Sequence, residues 1–318
     1  ESEKIRYGEA NFGSPLWSQS LLNLPNLKET HVILDGEEFT MEQGKVEEYA
    51  RILHMKEAIL ERKLLWTSPQ GKQTRIHIRR LVSIARKNIM AIEYEVTPMN
   101  YSGRIEFMSK LQADVENHTR KTNPIVDYGP FGRKLDSDEL RADGDILYYE
   151  GTTQNSHLSV ACGSSHGIWK DGAEQKNLEW KSSVGELEAE VVTGIQAEKG
   201  ETVVLEKMIC YTTSLDLGQE ERKSFVLAEL ERAQEDGMQK LEKWQKEYMA
   251  KFWEAADVEI KGNEALQQGL HFNLFHIIQS AGRDGKTGMG AKGLSGEGYE
   301  GHYFWDTEMY VLPVLVYT

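Results

Sequence analysis

The residues best suited to chemistry lie near the end of the chain, in residues 293–308. Glycines, aromatic residues, carboxylates and one histidine occur together there, a mixture that is typical of a binding loop. Trp305 offers a flat apolar face, and Asp306 beside it offers oxygens that accept hydrogen bonds from hydroxyl groups. The C–H face of a pyranose stacks on an indole while two neighbouring hydroxyls donate to one carboxylate. The segment therefore predicts a sugar-binding loop.

The same two residues also have a purely structural interpretation. Aspartate is a favoured N-cap, and a carboxylate is favoured at the N-terminus of a helix. Residues 307–312 are typical of the first turns of a helix. Under this interpretation Trp305 belongs to the core and Asp306 caps the helix, and the spacing of the residues favours neither interpretation.

Other motif-like spacings lack the context that their chemistry needs. Residues 288–293 match the glycine spacing of a dinucleotide-binding loop, but a predicted helix precedes them where that loop needs a strand. Residues 163–167 match a nucleophile elbow, but a turn follows where a helix is needed, so we interpret them as a loop after a strand. His302, Asp306 and Glu308 lie close in sequence, but no HExxH pattern or paired histidine spacing supports a metal site.

Composition and charge exclude several classes of protein. The chain has 318 residues and a net charge of −14, which argues against binding to nucleic acid or to anionic membrane surfaces. No apolar run reaches the ~20 residues that a membrane helix needs. Cys162 and Cys210 lie in apolar, strand-like surroundings, so we expect buried thiols and a cytoplasmic protein. The chain begins without methionine and ends in an apolar run, so we expect it to be part of a longer protein.

Most of the chain shows strand patterns. Between residues 28 and 215, short apolar runs alternate with turn residues, which predicts a large antiparallel β-sandwich. Residues 41–49 form a short acidic segment for which we expect a helix. In residues 119–144 the apolar pattern lapses, and we expect a long loop or insertion. We place the N-terminal sandwich domain at residues 1–218, without its first strands.

The pattern changes to a helical period at Gln219. Residues 219–256 predict a helical linker of one or two amphipathic helices, with a break at Gly237. Asn263 is the expected cap of a further helix that ends near Ser280. We assign residues 257–318 to the beginning of a second, truncated domain.

The sequence also resembles a known family of proteins. Residues 296–313 strongly resemble the signature of glycoside hydrolase family 65, whose inverting disaccharide phosphorylases act on maltose, kojibiose, trehalose, nigerose or glucosylglycerol. Residues 268–276 look like the first helix of that family's catalytic domain. Residues 24–27, 34–37 and 96–103 are similar to its N-terminal sandwich. The resemblance therefore runs the length of the chain.

The resemblance implies a fold and a set of site residues. The fold is a multidomain β + α architecture: a large antiparallel β-sandwich, a helical linker and the start of an (α/α) six-hairpin barrel. In the family, the Trp-Asp pair of the signature holds the glucosyl unit, which carries over to Trp305 and Asp306. Tyr299, His302 and Glu308 are further candidates for the substrate loop. The family's general acid is a glutamate downstream of the signature, so we expect no catalytic residue in this chain.

The implied reaction is inverting phosphorolysis of an α-glucosyl disaccharide or glucoside. Inorganic phosphate is the co-substrate, no metal or organic cofactor is needed, and the products are β-glucose 1-phosphate and a free acceptor. The implied partners are the substrate, phosphate, the remainder of the catalytic domain and a second copy in a homodimer. One alternative is an α-glucosidase or trehalase-type hydrolase of the same family. Another is a non-catalytic carbohydrate-binding or dimerisation protein.

Overall fold

A computed structural model describes residues 1–7, 12–117, 126–127, 132–294 and 298–318 of the chain. Residues 296 and 297 of the signature, and residues 119–125 and 128–131 of the expected loop at 119–144, lie outside the described residues. The described part contains many strands followed by helices. The predicted fold class, an antiparallel sandwich followed by helices, is therefore confirmed.

The strands are numbered in chain order. They are β1 (Ser2–Lys4), β2 (Arg6–Tyr7), β3 (Trp17–Gln19), β4 (Thr30–Leu34), β5 (Glu37–Glu38), β6 (Lys45–His54), β7 (Ile59–Thr67), β8 (Gln73–Val82), β9 (Ile89–Pro98), β10 (Gly103–Gln112), β11 (Val126–Asp127), β12 (Leu135–Asp143), β13 (Ile146–Thr153), β14 (Ser159–Lys170), β15 (Ala173–Glu174), β16 (Lys181–Val184), β17 (Glu188–Ala197) and β18 (Val203–Thr213).

Two antiparallel sheets form the sandwich. The larger sheet has nine strands in the order β12-β13-β14-β18-β9-β8-β7-β6, with β15 paired to β14. The smaller sheet has five strands in the order β16-β17-β10-β4-β5. Two short pairs, β1 with β3 and β2 with β11, lie apart from these sheets. The described residues of the N-terminal segment, 1–7 and 12–22, are therefore not strands of either main sheet.

The main core lies between the two sheets. Alternate side chains of each strand point into it, as the period of two along a strand requires. The smaller sheet contributes Ile105 and Phe107, and the larger sheet contributes Ile76, Val96 and Leu205, all of them buried. A strand with one face in this core has alternating apolar and polar residues in its sequence. This alternation made the sandwich predictable.

Three local predictions were wrong. No helix forms at residues 41–49, because residues 45–49 belong to β6, an edge strand that pairs with β7. The charged side chains of this segment suit the solvent-exposed edge of a sheet. Residues 135–143 form β12, the opposite edge strand, whose side chains are mostly exposed and show no apolar alternation. Residues 163–167 are not a loop but the middle of β14.

Three α-helices follow the sandwich in the described part of the chain. They are α1 (Gln219–Ala256), α2 (Glu264–Ser280) and α3 (Leu312–Tyr317). The predicted break in α1 is confirmed, because Gly237 has non-helical angles with φ +67°. The predicted cap of α2 is also confirmed, since the Asn263 side chain accepts a hydrogen bond from the Leu266 amide at 3.0 Å.

The helix α1 packs on the outer face of the nine-stranded sheet. Val226, Leu230 and Leu241 contact sheet residues that include Ala91 and Met208. A third apolar cluster joins the end of α1 to α2 through buried residues, namely Met249, Trp253, Leu274 and Phe275. The helices are thus fixed to the sandwich by apolar contacts along α1.

The cysteines are buried and unpaired, as predicted. Cys162 lies in the core between the sheets, and Cys210 lies under α1. Burial raises the pKa of the Cys210 thiol to about 12 and raises the pKa of the Cys162 thiol further above its usual range. Within the described ranges, no helix is long and apolar enough to cross a membrane.

Candidate functional site

The predicted binding loop has an unusual backbone. Tyr299, Glu300 and Gly301 follow one another with φ values of +60°, +56° and +78°. Residues other than glycine adopt this left-handed region at a cost of about 1–3 kcal/mol each. Two such residues in succession persist only where neighbouring structure holds them.

The N-terminal segment, residues 18–21, provides that support. The Leu21 amide donates to the Glu300 carbonyl oxygen at 2.9 Å, and the Ser18 hydroxyl donates to Glu300 Oε2 at 2.7 Å. Gly301 lies so close that a Cβ atom there would be 2.8 Å from Leu21 Cβ. These contacts fix both the backbone and the side chain of Glu300.

The glycine-rich stretch at residues 288–293 supports the loop from another side. The Ala291 amide donates to the His302 carbonyl oxygen at 3.0 Å. An added Cβ on Gly290 would be 3.0 Å from the Gly301 carbonyl oxygen, and one on Gly288 would be 3.3 Å from the Tyr303 ring. The glycines thus allow two backbone segments to approach closely, which accounts for their spacing without a nucleotide.

Trp305 and Asp306 lie where the loop becomes helical. The Trp305 side chain is 80% exposed, and Asp306 is exposed beside it. Asp306 has helical angles of φ −58° and ψ −31°, and its side chain makes no capping hydrogen bond. The capping interpretation of Asp306 is therefore wrong. Its carboxylate faces the exterior next to an indole, the pairing that suits a pyranose.

A short π-helix, Thr307–Val311, follows these residues and leads into α3. The Leu312 amide donates to the Thr307 carbonyl oxygen, which gives the wider turn. Val314 in α3 packs against the apolar cluster of Trp253, Leu274 and Phe275. The helix that carries Trp305 and Asp306 is thereby attached to α1 and α2.

The further candidates occupy separate positions. Tyr299 contacts Phe304 edge to face, with ring centroids 5.3 Å apart. His302 lines a cavity of about 470 Å³ together with Glu300, Gly301 and the N-terminal segment. Glu308 is exposed on the π-helix. The loop thus places Trp305 and Asp306 on its open side and His302 towards the sandwich.

Ser18 and Leu21 are site-forming residues that the sequence did not indicate. They lie about 280 residues before the loop that they hold, since the Ser18–Glu300 hydrogen bond spans 282 positions. Serine between tryptophan and glutamine in a short polar strand carries no signal of such a contact. Pairing at this distance is visible only in the folded chain.

The loop is suited to holding a neutral, hydroxyl-rich ligand. It offers an exposed aromatic face and an exposed carboxylate, which stack on and accept hydrogen bonds from a sugar. Among the described residues, no group of three His, Cys, Asp or Glu side chains is arranged to hold a metal ion.

The chain matches two models of one protein family. The model described as "Glycosyl hydrolase family 65, N-terminal domain" matches residues 2–252. The chain belongs to glycosyl hydrolase family 65. A second family 65 model, for the central catalytic domain, matches residues 271–318. The resemblance drawn from the signature is thus confirmed.

Individual relatives of the family 65 chain are similar over its whole length. It is 39% identical over 318 residues to the alpha,alpha-trehalose phosphorylase of Thermoanaerobacter brockii, covering all of this chain and 41% of that protein. It is 32% identical to the kojibiose phosphorylase of Caldanaerobacter subterraneus subsp. tengcongensis, covering 94% of this chain and 39% of that protein. The family 65 chain therefore spans about two-fifths of the length of these relatives.

A solved structure shares the fold. The putative kojibiose phosphorylase from human microbiome superposes with a TM-score of 0.82 at 19% identity, covering 98% of this chain and 40% of that one. At this identity the likeness concerns the fold alone. The sandwich followed by helices is thus the architecture of a family 65 protein.

Proposed function

We propose that Trp305 and Asp306 hold the glucosyl unit of a disaccharide or α-glucoside. The observation that carries this proposal is the state of Asp306: its carboxylate is exposed beside an exposed indole and is not used to cap the helix. The indole would stack on the C–H face of the sugar while the carboxylate accepts hydrogen bonds from two neighbouring hydroxyls. Glu308, exposed two residues after Asp306, is a candidate for a secondary contact with the sugar, and Tyr299 and His302 are kept as further candidates of the substrate loop.

We propose inverting phosphorolysis as the reaction in which this loop takes part. Phosphate attacks the anomeric carbon from the face opposite the leaving sugar, and an acid protonates the glycosidic oxygen, giving β-glucose 1-phosphate and the acceptor. One carboxylic acid is enough, because phosphate is already anionic and needs no general base. The names of the trehalose and kojibiose phosphorylases among the relatives support this reaction.

In this reaction the described loop binds the substrate, and the general acid lies elsewhere. Trp305 and Asp306 orient the glucosyl unit, and no residue of the chain is assigned the general acid, which we place in a glutamate downstream of the signature. Residues 257–318 would open an (α/α) six-hairpin barrel, after a sandwich at 1–218 and a linker at 219–256. No cofactor is proposed, and the enzyme would be a cytoplasmic homodimer.

Replacement of Asp306 by alanine tests the site. In the full-length protein, Asp306→Ala should lower kcat/KM for the preferred disaccharide by about 30-fold to 1,000-fold, since charge-assisted hydrogen bonds to the sugar are lost. Asp143→Ala is a matched control, because Asp143 is an exposed aspartate at the end of β12 and should leave the rate unchanged. Near-normal kinetics of Asp306→Ala would refute the assigned role.

The dependence on phosphate tests the reaction. Trehalose, kojibiose and maltose are incubated with the full-length protein, with and without inorganic phosphate, and the products are identified. We expect β-glucose 1-phosphate to form only when phosphate is present. Release of glucose at a rate that ignores phosphate would indicate the hydrolase, and binding without turnover would indicate a non-catalytic protein.

A further inference from the structure

The outer face of the nine-stranded sheet is only partly covered by α1. At Gly163 the helix packs tightly, since an added Cβ there would be 3.2 Å from side-chain atoms of Val226 and Leu230. Further along β14, near the break of α1 at Gly237, a cavity of about 1170 Å³ opens between sheet and helix. We call it the sheet–helix cavity. None of its lining residues belongs to residues 298–318.

Strand pairing places three charged side chains, next to a glycine, in a row across the floor of the sheet–helix cavity. Gly167 of β14 pairs with Glu206 of β18, and Glu206 pairs with Glu93 of β9. Glu93 in turn pairs with Arg79 of β8. Neighbouring strands lie about 4.8 Å apart, so the row forms a continuous polar strip. The strip lies on the face that carries α1, which contacts it through the Met238 amide and the Glu242 carboxylate.

An indole borders this strip. Trp169 follows Gly167 by two residues and therefore lies on the same face of β14. An added Cβ on Gly167 would be 2.4 Å from the six-membered ring of Trp169. The absence of a side chain at Gly167 thus lets the indole lie against the strand, at the edge of the cavity.

Polar groups without partners line the same cavity. Ser165 is 4% exposed, and its hydroxyl makes no hydrogen bond within the described part of the chain. The side-chain amide of Gln234, on α1, has a buried nitrogen and a buried oxygen that are likewise unpartnered there. Buried donors and acceptors that lack a hydrogen-bond partner destabilise a folded protein and are uncommon. A ligand that can both donate and accept hydrogen bonds would supply the partners that these groups lack.

The charge of the lining selects the class of ligand. Eight carboxylates line the sheet–helix cavity against two cations, Arg79 and Lys176. Arg79 is already paired, with Glu93 and with Glu242 at 2.6 Å. This balance repels phosphates and other anions, and an apolar ligand would leave the groups of Ser165 and Gln234 unpaired. A polyamine would suit the charge, but its ammonium groups cannot accept a hydrogen bond from the Gln234 amide nitrogen. A neutral polyhydroxy ligand can both donate and accept.

We propose that the sheet–helix cavity is a second saccharide-binding site, which takes a neutral oligosaccharide against Trp169, Ser165 and Gln234. The sugar face stacks on the Trp169 indole, and its hydroxyls hydrogen-bond with the unpartnered groups of Ser165 and Gln234. The site lies on the sandwich and α1, apart from the Trp305–Asp306 loop. It captures saccharides and carries out no chemistry on them.

The test separates this site from the loop by using the full-length protein with Asp306→Ala. Trehalose, kojibiose and maltotriose are titrated by calorimetry. We expect saturable binding that Trp169→Ala weakens by about tenfold or more, since an aromatic platform is lost. Trp17→Ala is the matched control, because Trp17 is a 60% exposed tryptophan outside the cavity, and it should leave the affinity unchanged.

A second variant distinguishes binding from folding. Gln234→Met keeps the length of the side chain and removes both unpartnered polar atoms, so the melting temperature should stay the same or rise. The affinity for maltotriose should nevertheless fall by about threefold to tenfold, as expected for lost hydrogen bonds. If Trp169→Ala proves unstable, Gln234→Met and Ser165→Ala decide the question.

Three results would overturn the proposal. One is that the Asp306→Ala protein binds none of the three saccharides. Another is that Trp169→Ala and Gln234→Met bind them as tightly as the parent. The third is that a polyamine such as spermidine binds in the sheet–helix cavity and the saccharides do not.

Discussion

Replacing Ser18 by alanine removes the hydrogen bond that holds the Glu300 side chain. Ser18 is 7% exposed, and its hydroxyl donates to Glu300 Oε2 at 2.7 Å. The Leu21 amide still donates to the Glu300 carbonyl oxygen in this variant. The perturbation therefore loosens the loop at residues 299–301 without cutting it from the N-terminal segment.

The magnitude follows from the burial of the two groups. A hydrogen bond to a charged group contributes about 1.5–3 kcal/mol. Glu300 is only half-buried, so water replaces part of the lost contact, and we expect about 1–2 kcal/mol. That free energy corresponds to a change of about 5-fold to 30-fold in the population of the open loop. The cores between the sheets and under α1 do not contain Ser18, so the melting temperature should hardly change.

Hydrogen exchange at the Leu21 amide measures this opening directly, because that amide is bonded to the loop. Protection should fall by about 5-fold to 30-fold in Ser18→Ala, and kcat/KM in the full-length protein should fall in parallel. Ser224→Ala is the control, since Ser224 donates to a carbonyl within α1 and has no contact with the loop. Unchanged protection at Leu21 in Ser18→Ala would refute the reasoning.

Two further predictions concern buried charges. His166 is buried, and desolvation, together with the charge of Lys207, lowers its pKa to about 3. The unfolded chain then binds a proton below pH 6.5 that the folded chain does not, so stability should fall as pH drops from 6.5 towards 3. Between pH 7.5 and pH 5, the free energy of unfolding of the parent protein should fall by about 2 kcal/mol more than that of His166→Asn. An equal fall in both proteins, measured by urea denaturation, would contradict this. Arg222 is 4% exposed and binds Glu150 at 2.7 Å and 2.9 Å. Arg222→Met should destabilise by about 3–5 kcal/mol, and the exposed control Lys87→Met by less than about 1 kcal/mol; similar urea midpoints for the two variants would be inconsistent with a buried pair.

Features set by local sequence were predictable. The Asp35-Gly36 turn joins β4 to β5 with φ values of +50° and +85°, as an Asp-Gly pair between strands indicates. Asn263 caps α2 and Gly237 interrupts α1, because short polar side chains and glycine have specific backbone preferences. Alternation along the inner strands reflects one buried face. In each case the cause lies within a few residues of the effect.

Features set by contacts outside their own segment were not predictable. β6 and β12 are the edge strands of the larger sheet, and their polar sequences become strands because β7 and β13 pair with them. The link from Ser18 to Glu300 depends on where the whole sandwich places its N-terminal segment.

The Ser18–Glu300 contact also has a consequence for the order of folding. It joins groups 282 positions apart, and contacts of such separation form late because loop closure must come first. During synthesis the residues around Ser18 leave the ribosome long before those around Glu300. The sandwich can therefore assemble first and present a finished docking edge. The loop at residues 299–301 would take its left-handed shape only after the sandwich has formed, so that the sugar-binding loop is shaped on a finished scaffold.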